Sequence, residues 1–381
     1  MSKANDRKHH MQHESESSNM KYNLISLFSG GGGLDLGLEQ ANFKTLYAND
    51  SEALCKETFK LNLPQTDFFS GSVVDYLDYL TREKEAFPEL FENIHLLAGG
   101  PPCPPFSKSR FYLKDKPRAL KDPNAEVTIS SYFKALEIVQ PKAFIFENVA
   151  GITFKSHQAA FDYILEEAQS LGYEVSWKII NTANYGVAQV RQRFIMVGMK
   201  EQKFTFPEET HSKYKEPNRQ PWVTSGEVLD DLDTEANSDD TGHFAGGKHH
   251  HLLKDVPPGD NYLFFTEKRG YQDPQFEWRS RYWSFLLKLD PNQPSWTIQA
   301  RRSNNMGPFH WKNRILRIEE VKRLQSFPDN WKLAGTIEQQ WRQVGNAVPP
   351  KVAKILGQSI VDQLKPKKDV HQFEEIESEI L

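Results

Sequence analysis

Residues 22–50 read YNLISLFSGGGGLDLGLEQANFKTLYAND, and three textures follow one another in them. YNLISLF (22–28) is an apolar run of strand length. FSGGGGLDLGL (28–38) turns through four glycines into a helical pattern, and KTLYAND (44–50) is a second strand ending in an acid. Strand, glycine turn, helix and strand in that order form a βαβ unit, which predicts a parallel sheet of the α/β class. Glycines let the backbone turn tightly and approach a ligand, and Asp50, at a strand tip, can accept hydrogen bonds from a ribose. This is a nucleoside-cofactor site in outline. A glycine run by itself occurs about as often without a ligand, and a nucleotide-dependent dehydrogenase would show the same features.

The chain has 381 residues, enough for a large core and two domains. No apolar run reaches the length of a membrane span, and the amino-terminal MSKANDRKHHMQHESESS lacks the apolar core of a signal peptide, so a cytosolic protein is the expectation. Two cysteines, Cys55 and Cys103, are too few for a disulfide framework or a thiolate zinc site, and no metal is expected. Cys55 lies in the helical stretch 52–62 and reads as core. The net charge of −4 does not decide for or against nucleic acid, because binding depends on where the basic residues lie.

Working outward, LAGGPPCPPFSK (97–108) sets Cys103 between two proline pairs at the end of an apolar strand, Ile94 to Ala98. Prolines fix φ, so this loop holds one shape at little further entropic cost, from which a nucleophile benefits, although a lone cysteine in a proline-rich turn is more often an inert thiol. A polar, basic stretch then runs to Lys121, and a helix is predicted from about Ile129 to Val139. The strand AFIFENV (143–149) ends near Glu147, which should stand beside the cysteine strand on the same rim. A helix over 159–171 and a strand over 173–181 come next. Gln189, Arg191 and Arg193 alternate just outside a last apolar strand and should share one face. From Lys200 the chain turns to loops rich in Pro, Gly and Asp, which marks a second domain. His249 to His251 read as solvated loop. Arg279, Arg281, Arg301, Arg302, Lys312, Arg314, Arg317, Lys322 and Arg323 crowd one region among aromatics. QVGNAVPPKVAKILGQSIV (343–361) reads as a polar turn followed by a helix that starts at proline. The predicted organisation is a disordered arm (1–20), a catalytic domain (21–199), a second domain (200–330), a return to the first (331–366) and a charged tail (367–381).

Taken together and in order, FSGGGGLDLG, GGPPCPPFS, ENV, QVRQR and GNAVPP resemble the DNA (cytosine-5)-methyltransferase family, bacterial restriction-modification type, from Leu24 to about Gly357. The resemblance implies a Rossmann-like S-adenosylmethionine-dependent methyltransferase domain joined to a smaller, mostly irregular or β target-recognition domain. It also implies methyl transfer to carbon 5 of a flipped cytosine in double-stranded DNA. Cys103 would be the nucleophile, Glu147 would bond ring N3, Arg193 would anchor O2 and Arg191 would support the site. Phe28, Ser29, Gly30, Gly31, Gly33, Leu34, Asp50, Ser51, Ser72, Val73, Pro102 and Asn346 would hold S-adenosylmethionine. Two positions depart from the family: Gly71-Ser72 stands where Gly-Asp is common, which weakens the adenine contact, and Asp122-Pro123-Asn124 stands where Asp-x-Arg-Gly is usual. A cytoplasmic, nucleoid-associated bacterial enzyme follows, monomeric on DNA and functionally paired with a cognate restriction endonuclease. The basic stretch from Arg279 to Arg323 would face DNA. A tRNA-directed relative is the alternative, disfavoured by the long recognition segment. A catalytically dead homologue would be expected to lack Cys103 or Glu147, and both are present.

Overall fold

In the computed structural model, apolar residues alternate along the central strands and so feed two separate packed layers. The structure describes residues 21–102, 122–232 and 244–365; the predicted arm, the Cys103 loop and the charged tail lie outside the described residues. The strands are β1 (Tyr22–Leu27), β2 (Phe43–Asp50), β3 (Asp67–Ser70), β4 (Ile94–Gly99), β5 (Ala143–Val149), β6 (Glu174–Asn181), β7 (Gln189–Val190), β8 (Gln192–Met199), β9 (His211–Ser212), β10 (Gln220–Pro221) and β11 (Ser295–Trp296). Seven of them form one sheet in the order β3-β2-β1-β4-β5-β8-β6. Strands β1 to β5 run parallel, and β8 lies antiparallel between β5 and β6.

Leu24, Leu96, Ile145, Ile195 and Val197 pack on one face, with residues of the helices Gly33–Glu39 and Pro350–Leu364. Ile25, Leu97, Phe144, Phe146 and Met196 pack on the other, with the helices Val73–Ala86, Pro123–Val139 and Gln158–Ser170. A sheet covered on both faces can be apolar throughout, which explains strands such as AFIF. The strand order reverses at β1, which pairs with β2 on one side and β4 on the other. The crevice outside the carboxyl ends of these strands is where doubly wound sheets bind ligands.

Residues 200–331 form short strands, 3₁₀ turns and two short helices, Ser225–Leu229 and Ile318–Leu324. Their aromatic core, with Tyr262, Phe265, Phe276 and Phe285, runs continuously into Cys55, Phe59 and Phe68 of the first part and Trp331 and Trp341 of the last. No helix among the described residues is long and apolar enough to cross a membrane.

Four local expectations change. The helix predicted from Ile129 begins at Pro123, because Asp122 accepts a hydrogen bond from the Asn124 amide (3.0 Å) and Pro123 sits in the first turn, where its missing N–H is no loss. Residues 343–346 are not a turn but the last turn of the helix Ile337–Asn346, whose start is fixed by a Thr336/Gln339 capping box. His249 is not solvated loop; its ring packs against Phe276 and Phe285, and a 3₁₀ turn (His250–Asp255) follows. Gln189 and Arg193, expected just outside the last strand, lie within strands β7 and β8, with a break at Arg191 between them, and Gln189 is buried, donating to Gln325 Oε1 at 2.9 Å.

The helices Gly33–Glu39 and Pro350–Leu364 cross closely at Gly37, where a Cβ would lie 2.2 Å from the Pro350 carbonyl and 2.4 Å from Ala353 Cβ. Gly37→Ala gains about 1 kcal/mol of helix propensity. Overpacking costs typically ~1–3 kcal/mol and more against backbone. A lower urea midpoint than wild type is therefore expected, and an unchanged or higher one would show that the helices can separate without loss.

Candidate active site

Each residue of the site is held by backbone that the sheet fixes. Phe28 and Gly30, just past β1, take left-handed conformations (φ 54° and 53°) and fold the chain back. The Ser29 amide donates to the Asn49 carbonyl at 2.9 Å, and the Gly30 amide to Asp50 Oδ2 at 2.9 Å. Asp50 Oδ1 accepts from the Glu52 amide at 2.9 Å. Burial raises the Asp50 carboxyl and these amides hold it down, with a net rise. Each carboxylate oxygen keeps acceptor capacity for a ligand.

Glu147 and Arg193 meet because β8 is antiparallel to β5. In that register Val149 faces Arg193, so Glu147 is its diagonal neighbour on the same face, and Arg193 Nε lies 2.8 Å from Glu147 Oε1. Burial pushes the Glu147 carboxyl up, and Arg193 and then Arg191 pull it part of the way back. Gly100 makes room for that carboxylate, since a Cβ there would lie 2.6 Å from Glu147 Oε2. Asn148 donates to the Pro101 carbonyl at 3.2 Å and so pins the start of the proline loop. Cys103 lies outside the described residues, two positions past Pro101. Burial, then Asp50 and Glu52, push the Cys55 thiol far up, so it stays protonated and unreactive.

These groups line one cavity of about 500 Å³. Of the residues expected in the site, Phe28, Ser29, Gly30, Gly31, Gly33, Leu34, Asp50, Ser51, Pro102, Glu147, Arg191, Arg193 and Asn346 line it, whereas Ser72 and Val73 do not. The Ser72 hydroxyl caps the helix Val73–Ala86, accepting from the Asp75 amide (3.2 Å) and donating to Asp75 Oδ2 (2.6 Å), while Val73 is buried in the core. Sequence reasoning misses the opposite wall, Thr297 to Ala300, which returns from the irregular region. Nothing local marks it; it arrives because Arg191 donates to the Ile298 carbonyl (3.1 Å) and Ile298 N to Gln189 Oε1 (3.0 Å).

Part of the basic stretch also serves the fold. Arg314 grips Glu320 through two nitrogens (2.9 and 2.7 Å) in the interior, Arg317 is buried beside it, Lys322 donates to the Asp329 carbonyl, and Arg323 forks onto Asp329 and also pairs with Asp231. Arg302 pairs with Glu338 at 3.2 Å. Arg279, Arg281, Arg301 and Lys312 are exposed.

A doubly wound sheet with a glycine loop, a strand-end acid and a carboxylate-guanidinium pair around one cavity places the protein in the Rossmann-like class. The C-5 cytosine-specific DNA methylase family matches residues 22–362, and the chain belongs to it. It is a DNA (cytosine-5)-methyltransferase. Type II methyltransferase M.SacI of Streptomyces achromogenes is 36% identical over 379 residues, covering 90% of this chain and 93% of that one. Type II methyltransferase M.NgoFVII of Neisseria gonorrhoeae is 29% identical over 378 residues, covering 96% and 94%. The fold is similar to the crystal structure of S. pombe Dnmt2 methyltransferase, with a TM-score of 0.61 and 16% identity over 91% of this chain and 100% of that one.

If Ser72 is a cap and not a cofactor contact, Ser72→Ala should cost about 1 kcal/mol of stability and leave cofactor affinity unchanged. Calorimetric titration beside a urea melt checks both, and weakened cofactor binding would return Ser72 to the pocket.

Proposed function

We propose that the protein transfers a methyl group from S-adenosylmethionine to carbon 5 of a cytosine flipped out of duplex DNA, at one short sequence, through a covalent adduct with Cys103. The observation that supports this most is the buried Glu147–Arg193 pair opening into the same cavity as the Gly30 loop and Asp50. The donor set suits that cofactor: Asp50 and Glu52 face the glycine-loop end of the cavity, which fits ribose hydroxyls and a cationic sulfonium better than the phosphates of a dinucleotide. Phe28, Ser29, Gly30, Gly31, Gly33, Leu34, Asp50, Ser51, Pro102 and Asn346 would hold it, and it supplies the methyl group on a sulfonium sulfur.

In this reading the Cys103 thiolate adds to carbon 6 of cytosine, which makes carbon 5 nucleophilic. Negative charge developing at N3 and O2 is met by the Glu147 carboxyl and the Arg193 guanidinium. Methyl transfer to carbon 5 would leave the cofactor's sulfur as a neutral thioether; water then takes the carbon 5 proton and the sulfur–carbon bond breaks, restoring the ring and the Cys103 thiolate. The Glu147–Arg193 pair thus does two tasks: it positions the acid, and it recognises the edge of the base. A base within a duplex cannot reach the cavity, so the target must leave the stack.

Residues 21–199 and 331–366 form the catalytic domain in this account, and 200–330 the recognition domain, with Arg279, Arg281 and Arg301 on phosphates. The relatives named as type II methyltransferases support a role as the modification half of a restriction-modification system; in this reading the protein is functionally paired with an endonuclease and acts as a monomer on DNA in the bacterial cytoplasm. Bisulfite sequencing of plasmid from cells expressing the protein should show one recurrent motif with a protected cytosine. Scattered protection, or modified tRNA with untouched DNA, would contradict the reading.

The acid form of Glu147 is the one that serves N3. Because burial raises its carboxyl, activity should be retained above the usual glutamate range and decline as pH rises through that raised value. Glu147→Gln should lower kcat by on the order of 100-fold and abolish that alkaline decline. A wild-type alkaline limb that survives the substitution would assign it to another group.

A further inference from the structure

Trp283 and Trp296 stand in contact beside the cavity, ring centroids 5.8 Å apart and planes at 72°, and they are 51% and 45% exposed. Single exposed aromatics are ordinary on a protein surface; two in contact beside an active-site cavity, with cations near them in the chain, call for a partner. The backbone at each is anchored. Trp296 lies on β11, paired with Val190 of β7, and the next residue, Thr297, donates its hydroxyl to the Val190 carbonyl at 2.8 Å and lines the cavity. The Trp283 carbonyl accepts from buried Asn261 at 2.9 Å, and the neighbouring Ser284 hydroxyl accepts from Gln299, another cavity residue, at 3.1 Å. Exposed Arg281 precedes the pair in the chain, and exposed Arg301 follows the cavity wall.

Exposed aromatic faces, with exposed arginines a few residues away in the chain, match a nucleobase on a phosphate backbone. When a cytosine leaves the duplex to enter the cavity, its former partner is left with no hydrogen-bonding mate and with a π face open on the vacated side. We propose that Trp283 and Trp296 are positioning residues that hold the opened base pair apart: with their planes at 72°, one ring stacks on this unpaired base and the other braces it edge-on. They touch none of the reacting atoms; they act by keeping the flipped state populated. This rests on the flipping mechanism proposed above.

The test uses the full chain and a duplex carrying the site found by bisulfite sequencing, with 2-aminopurine at the target position, which brightens on leaving the stack. A second duplex has an abasic nucleotide opposite the target. Trp283→Ala and Trp296→Ala should each weaken binding to the first duplex by about 5- to 100-fold and dim the 2-aminopurine signal. Trp→Phe at either position should restore most of both, and on the abasic duplex the loss should largely vanish. Equal losses on both duplexes, no loss on either, or a wild-type dimer that the substitutions convert to monomer in sedimentation would overturn the proposal. Wild-type protein that methylates no DNA would instead sink the functional reading on which it rests.

Discussion

The buried guanidinium of Arg191 is the interaction on which the cavity depends. It donates to the carbonyls of Ile298 (3.1 Å), Gly345 (2.8 Å) and Asn346 (3.4 Å). Taking a guanidinium out of water is costly, and only close polar partners offset that. Here the partners come from two distant segments: the strand-like return from the irregular region and the carboxyl end of the helix Ile337–Asn346, where the helix dipole favours a cation. The residue is satisfied only when sheet, irregular region and carboxyl-terminal helix are assembled together. The continuous apolar cluster from Phe59 through Phe285 to Trp341 reinforces the same closure from the dry side.

The second constraint is the direction of β8. A parallel strand there would present its carboxyl end beside that of β5. Running antiparallel, it brings its first residues to the rim where β5 ends, so Arg193 reaches Glu147 across the pair. The acid, the arginine and the proline loop therefore share one rim with the glycine turn. Gly100 and Asn148 tune this rim, one by leaving space for the carboxylate and the other by holding the Pro101 carbonyl. The same rim carries Thr297 to Ala300, by which the irregular region reaches the cavity.

What the sequence made legible was local. A glycine turn between strand and helix, an acid ending a strand and a proline-framed loop each carry their meaning within a few residues, and the structure puts Gly30, Asp50, Pro102, Glu147 and Arg193 around one cavity. What it obscured depended on distance or on competition. Arg314 looks like any surface arginine until Glu320 is folded back against it. Ser72 matches a cofactor motif, yet a serine before Val-Val-Asp is also a helix cap, and its hydroxyl accepts from the Asp75 amide. The helix ending at Asn346 was missed because Gly345 and Asn346 read as a turn, although Thr336 and Gln339 carry the spacing of a capping box. The wall from Thr297 to Ala300 has no periodicity of its own, since its shape is set by Arg191 and Gln189 more than 100 residues earlier.

The account stands or falls on a sulfur at position 103 attacking a base held by Glu147 and Arg193. The most direct measurement is covalent trapping on DNA whose target cytosine is replaced by 5-fluorocytosine, where the fluorine cannot leave as a proton does and the adduct persists. With S-adenosylmethionine present, wild-type protein should form a denaturation-resistant complex whose cross-linked peptide contains Cys103, and Cys103→Ala should form none. A complex that survives Cys103→Ala, a cross-link mapped to Cys55, or methylation of ordinary DNA by the alanine variant would contradict it.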